Sequence, residues 1–80
     1  MFKQSNNKPI PVIASFNKEG QIMPIYIQPE IAPIKLLEVT YCNKYVNYNL
    51  YKVCYVLHNY LMDAYLYYYF DKHTWFIEEF

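Results

Sequence analysis

Eighty residues with seven acidic and seven basic side chains form one small domain without net charge, which excludes the positive field on which most nucleic-acid binders depend. The single glycine excludes a glycine-rich phosphate loop, and no apolar run approaches the roughly 18 residues of a membrane span, so no membrane partner is expected. Eleven tyrosines are more than so small a core can hold, and several are therefore expected at the surface.

The N-terminal residues 1–8 are polar and are expected to be flexible, which leaves a single β domain over residues 9–80. They contain no apolar stretch of the kind found in secretory signals, and this favours a cytoplasmic location. In that reducing compartment Cys42 and Cys54 are expected to be free thiols.

The first third of the chain carries the pattern of a β-hairpin. Alternating apolar residues predict a strand over 10–16, and a turn follows over 17–20. Gly20 can take the left-handed conformation that a short hairpin loop needs. The return strand covers 21–28, and Pro24 within it predicts a bulge, a bend or an edge position.

The middle of the chain is less regular. Two prolines make 29–33 a loop, residues 34–42 predict a third strand, and three asparagines favour a turn over 43–49. In the third strand, alternation places three apolar side chains on the inner side, namely Leu37, Val39 and Tyr41.

Residues 50–63 fit two patterns. Period two places Tyr51, Val53 and Tyr55 on one face of a strand. A period of 3.6 gives an apolar helical stripe instead, and this alternative predicts an α+β fold with a helix near residues 47–64. Tyrosine and valine dominate, alanine is rare and His58-Asn59 is typical of a turn, so the strand is favoured.

A second hairpin ends the chain. After a connection around 59–63, two strands are predicted over 64–70 and 74–79, with a three-residue reversal between them. Alternation places Ala64, Leu66, Tyr68 and Phe70 on one face of the first of these strands. It places Tyr65, Tyr67 and Tyr69 on the other.

These elements predict an all-β fold, a small antiparallel barrel or curled sheet of five to six strands similar to SH3-like modules. Both ends of the chain also resemble a family of small uncharacterised proteins from Firmicutes. The stretches that carry the resemblance are Pro9-Ile10-Pro11-Val12-Ile13-Ala14-Ser15-Phe16 with the Asn-Lys-Glu-Gly turn after it, Gln21-Ile22-Met23-Pro24-Ile25, Tyr51-Lys52-Val53-Cys54-Tyr55 and Trp75-Phe76-Ile77-Glu78. The chain departs from that pattern in lacking arginines and a second glycine. The resemblance implies a small β-barrel or rolled sheet and carries over no functional residue.

Reactive side chains are present, but their spacing does not assemble a site. A Cys–His pair needs an activated thiolate and an orienting third group, and nothing in the sequence singles one out. Cys54 and His58 lie four residues apart, which suits a metal on a helix but places them about 13 Å apart on a strand. We therefore expect no enzyme, no metal and no cofactor. The residues considered are Cys42, Cys54, His58, His73, Asp63, Asp71 and Glu38.

The tyrosine stripe is the candidate interaction site. Tyr65, Tyr67 and Tyr69 are expected to lie beside Trp75 of the neighbouring strand, and tyrosine and tryptophan are the usual hot-spot residues of interfaces. The sequence therefore predicts a non-catalytic interaction or structural module, with a protein partner or a second copy of itself. The face could instead be a second core layer of a closed barrel. A module that binds single-stranded nucleic acid by stacking is the functional alternative, with the absent positive charge against it.

Overall fold

The computed structural model describes residues 8–79, and their regular secondary structure consists of β-strands alone. An all-β antiparallel fold is thus confirmed. Six strands have five residues or more and two have only two. In chain order the strands are β1 (Lys8–Pro9), β2 (Val12–Phe16), β3 (Ile22–Ile27), β4 (Ile34–Lys35), β5 (Glu38–Lys44), β6 (Tyr48–Leu57), β7 (Tyr60–Tyr69) and β8 (Thr74–Glu79). Lys8, expected in the flexible segment, belongs to β1, and residues 1–7 and 80 lie outside the described residues. Between residues 8 and 79 there is no helix that could cross a bilayer.

The larger sheet contains five antiparallel strands in the order β1-β8-β7-β6-β5. Its centre is the long hairpin of β6 and β7, which pair over their whole length. Along β6, Tyr51, Val53 and Tyr55 are fully buried while Lys52 and Val56 are exposed. This is the period-two pattern of a strand, and the alternative of a helix near residues 47–64 is wrong.

The turn of this hairpin consists of His58 and Asn59 alone. Both residues have positive φ angles, 51° and 68°, the backbone of the two-residue turns that match the twist of paired strands. The expected connection over 59–63 is therefore wrong, because β7 begins at Tyr60 directly after the turn. The asparagine-rich turn predicted over 43–49 is also shorter than expected, because Asn49 already lies in β6.

The smaller sheet contains three strands in the order β2-β3-β4. Its hairpin turns at 17–20 as predicted, with Gly20 at a φ of 81°. The predicted irregularity at Pro24 is also present: Ile13 pairs with Tyr26 and Ala14 pairs with Pro24, so Ile25 is an extra residue that forms a bulge in β3.

The chain passes between the two sheets at two places. The Ile10 N–H donates to the Trp75 carbonyl in the large sheet, and β2 of the small sheet begins two residues later. The Leu36 N–H donates to the Ile25 carbonyl in the small sheet, and the Leu37 N–H donates to the Cys54 carbonyl in the large sheet. The predicted third strand over 34–42 is therefore two strands, β4 and β5, in different sheets. The two sheets do not close into a barrel.

The core lies between the sheets. Leu36 is buried and Leu37 is 60% exposed, which reverses the expectation for Leu37, because the chain changes sheets between these two residues. Tyr51 reaches across the core and its hydroxyl donates to the Ile22 carbonyl of the small sheet. The buried apolar residues are Ile10, Ile22, Ile27, Leu36, Tyr51, Val53, Tyr55, Ala64, Leu66, Trp75 and Ile77.

Candidate functional site

The large sheet has one face toward the core and a second face, here called the outer face, on the opposite side. Strand alternation sends every second residue of β6, β7 and β8 to the outer face. The outer residues of these three strands are all half-buried or exposed, whereas those between them include the core residues. The outer face is thus accessible, and it is not the second core layer of a closed barrel.

One end of the outer face carries a continuous group of rings that we call the aromatic cluster, made of Tyr45, Tyr48, Tyr67, Tyr69 and Phe76. Tyr48 is at its centre. Its ring centroid lies 4.8 Å from that of Tyr45 in a stacked arrangement, 5.5 Å from Tyr67 and 5.2 Å from Tyr69. Tyr69 continues the group with an edge-to-face contact to Phe76 at 5.4 Å.

The predicted site residues divide between the two faces of the sheet. Tyr67 and Tyr69 belong to the aromatic cluster, and Tyr65 lies on the same face, opposite Lys52. Trp75 does not join them. It pairs with Tyr68 rather than with Tyr67 or Tyr69, is only 7% exposed, and packs its ring 4.9 Å from Tyr68 on the core side.

Three members of the aromatic cluster were not predicted, and the register explains why. Tyr48 pairs with Tyr69 across the hairpin, and Phe76 pairs with Tyr67 on the other side. The sequence contains the information needed to place Tyr48. If His58 and Asn59 form a two-residue turn, counting back along the two strands gives the β6–β7 register and hence the partner of Tyr48. Tyr45 lies just before β6 and depends on Tyr48 for its position.

The middle of the outer face is acidic, and the exposed apolar pair of Val56 and Leu61 lies beyond it, next to the hairpin turn. Lys52 shares the acidic region with three carboxylates, those of Glu38, Asp63 and Glu78, so negative charge prevails there. Desolvation raises the pKa of the Cys54 thiol, and the nearby Asp63 and Glu38 carboxylates raise it further. Cys54 is therefore held as a thiol, the weakly nucleophilic form.

A carboxylate also holds one ring of the aromatic cluster in place. The Tyr67 hydroxyl donates to the Glu78 carboxylate of the adjacent strand. Burial raises the pKa of Tyr67 well above its ordinary value, and this hydrogen bond raises it further. The phenol thus stays protonated and fixes the orientation of its ring.

The other reactive side chains do not meet in one place. His58 pairs with Glu30 at 2.9 Å, His73 contacts the Tyr68 hydroxyl at 3.2 Å, and Cys42 is an exposed free thiol at the sheet edge. Within residues 8–79 no group of three or more histidine, cysteine or acidic side chains is placed to hold a metal ion.

The accessible aromatic cluster is therefore the candidate interaction site of the large sheet. Comparison with known proteins adds no relative: no family model, no curated protein and no solved structure matches this chain.

Proposed function

We propose that this protein is a non-catalytic interaction module that pairs with a second copy of itself through the aromatic cluster. The observation that carries the proposal is a group of five rings, linked by four ring contacts with Tyr48 at the centre, on an accessible sheet face. Tyrosine supplies large contact area at low conformational cost and is enriched in interface centres. Such a patch on a chain of 80 residues is typical of a surface that becomes covered.

Charge favours a second copy as the occupant. The chain has no net charge, so two copies do not repel each other at long range. The acidic region around Glu38, Asp63 and Glu78 lies beyond the cluster on the same face. A two-fold axis that passes through the aromatic cluster at right angles to the strands places the two acidic regions at opposite ends of the dimer, where they do not face each other.

Pairing through the free edge of the large sheet is less suitable. The edge strand β5 is irregular, because its register with β6 shifts between Tyr41 and Asn43. Bulges and lysines are the usual means by which edge strands avoid pairing, and β5 ends at Lys44. The face, rather than the edge, is therefore the proposed interface.

The acidic region also bears on nucleic acid as an alternative partner. A groove that tracks phosphates needs several basic side chains, and Lys52 is outnumbered by carboxylates on this face.

We place the module in the cytoplasm, where a reducing environment keeps thiols such as Cys42 and Cys54 free.

Sedimentation velocity over a concentration series tests the proposal. We expect reversible dimers, and we expect Tyr48→Thr to raise the dissociation constant about tenfold or more, the loss typical of an interface hot spot. Threonine suits a strand, so the fold should persist. The control is Tyr60→Thr, the same change at a 72% exposed tyrosine on the opposite face of β7.

Three results would refute self-association through this face. The first is a wild-type protein that stays monomeric at millimolar concentration. The second is an equal loss of dimer in the Tyr48 and Tyr60 variants, and the third is an unchanged dimer in the Tyr48 variant. Thermal unfolding of each variant verifies that a loss of dimer is not a loss of fold.

A further inference from the structure

A cleft of about 370 Å³ opens between the first hairpin and the inner face of the large sheet. It lies on the opposite side of the sheet from the aromatic cluster, so what it binds is independent of dimer formation. Its volume falls in the range of small-molecule sites. The hairpin contributes Phe16 and Glu19 to its lining, and the sheet contributes Tyr41, Asn49 and Tyr68.

The floor of the cleft contains a buried amide whose orientation is fixed. Tyr51 donates its only hydroxyl proton to the Ile22 carbonyl, so it must accept from Asn49 Nδ2, 3.1 Å away. Asn49 Oδ1 then faces the Tyr41 hydroxyl at 3.4 Å. Asn49 is only 7% exposed, and no second hydrogen bond from Nδ2 is found within residues 8–79. A buried amide N–H without an acceptor is costly, and an acceptor on a ligand would satisfy it.

Two opposite charges line the same cleft. Lys44 extends over the Phe70 ring, with Nζ 5.8 Å from the ring centroid, and Glu19 lies in the hairpin turn. Neither forms a salt bridge among residues 8–79. Because the two charges cancel, they favour a neutral ligand with both acceptors and donors at its edge over an anion or a cation.

The apolar part of the lining is made of flat rings. Phe16 is 69% exposed, which leaves a large apolar ring without cover at the entrance. Tyr68 and Phe70 form the opposite wall in an edge-to-face pair, with centroids 6.0 Å apart. Aromatic walls of this kind suit a planar ring, which gains by stacking on them.

We propose that this cleft binds a neutral heteroaromatic ring of the nucleobase class, as a free nucleoside. The Asn49 N–H and the Lys44 ammonium donate to acceptors on the ring edge, and the Glu19 carboxylate accepts from an exocyclic amine. Phe16 covers one face of the ring. A monosaccharide offers similar polarity without a flat ring, and an aromatic amino acid offers a flat ring with two charges, so both serve as competing probes.

Titration of nitrogen-15-labelled protein with single nucleosides tests the proposal. We expect at least one of adenosine, guanosine and cytidine, which carry an exocyclic amine, to shift the Asn49 side-chain amide signals saturably, while ribose, glucose and tryptophan do not. The proposal is overturned when no nucleoside at millimolar concentration moves the amide signals, or when a sugar or tryptophan moves them as strongly.

Paired variants locate the site without disturbing the core. Lys44→Met and Phe16→Ser should each weaken binding about tenfold, the loss expected for one charge-assisted hydrogen bond or one stacked ring. The controls are Lys52→Met, on the outer face, and Ile13→Ser, at a 55% exposed position of the same strand as Phe16. Unchanged binding in the two cleft variants, or an equal loss in the controls, contradicts the assignment.

Discussion

Tyrosine hydroxyls are used in this molecule as donors to fixed acceptors. Tyr55 donates to Glu79, Tyr67 donates to Glu78, and Tyr51 donates to the Ile22 carbonyl. Burial is the main cause that raises the pKa of all three phenols, and the carboxylate partners of Tyr55 and Tyr67 add to it. The folded protein therefore resists losing these three protons.

Alkaline pH should destabilise the protein for this reason. Unfolded tyrosine ionises near pH 10. Above that pH the unfolded chain binds fewer protons than the folded one, so the free energy of unfolding falls as pH rises. Urea unfolding at a series of alkaline pH values measures the slope. Tyr67→Phe removes one phenol that keeps its proton in the folded state, so the free energy of unfolding should fall less steeply as pH rises. A slope equal to that of the wild type would contradict this account.

Single residues show what strand alternation alone predicts. It correctly placed Tyr65, Tyr67 and Tyr69 on the face opposite Leu66. It could not place Trp75, because the face of a residue in the next strand depends on the register, and the reversal between β7 and β8 contains no glycine to indicate its geometry. Residue type predicts a turn at Asn49, whereas its side-chain amide is buried and hydrogen-bonds to the Tyr41 and Tyr51 hydroxyls.

The β6–β7 hairpin is the element on which the aromatic cluster depends. Its two-residue turn sets the register that brings Tyr48 beside Tyr69. The sequence indicated the turn residues, but the length of the connection was overestimated. Apolar alternation through Tyr60 and Met62 continues the strand to the turn without any glycine or proline to mark the boundary.

A substitution in this turn should destabilise the whole hairpin. Asn59 has a φ of 68°, which β-branched residues adopt only with strain. We expect Asn59→Val to lower the free energy of unfolding by about 1–3 kcal/mol. Asn47→Val is the matched control, because Asn47 lies in an exposed loop without a positive φ. Urea denaturation compares the two, and equal effects would contradict the role given to the turn.

At the scale of the whole molecule, two antiparallel sheets are joined at two crossings but do not close. Composition and alternation predicted the all-β class and the longer strands. They could not predict the division into two sheets, because it depends on single hydrogen bonds at Leu36 and Leu37 that leave no pattern in residue type. The same division leaves the outer face of the large sheet accessible. The aromatic cluster is therefore part of the surface of the molecule.

The most direct test of self-association is an isotope-filtered nuclear Overhauser experiment on an equal mixture of labelled and unlabelled protein, which detects only contacts between copies. We predict cross-peaks from the Tyr48 ring of one copy to the rings of Tyr67, Tyr69 or Phe76 of the other. Cross-peaks confined to the β5 edge, or none at a concentration where sedimentation shows dimers, would contradict pairing through the aromatic cluster.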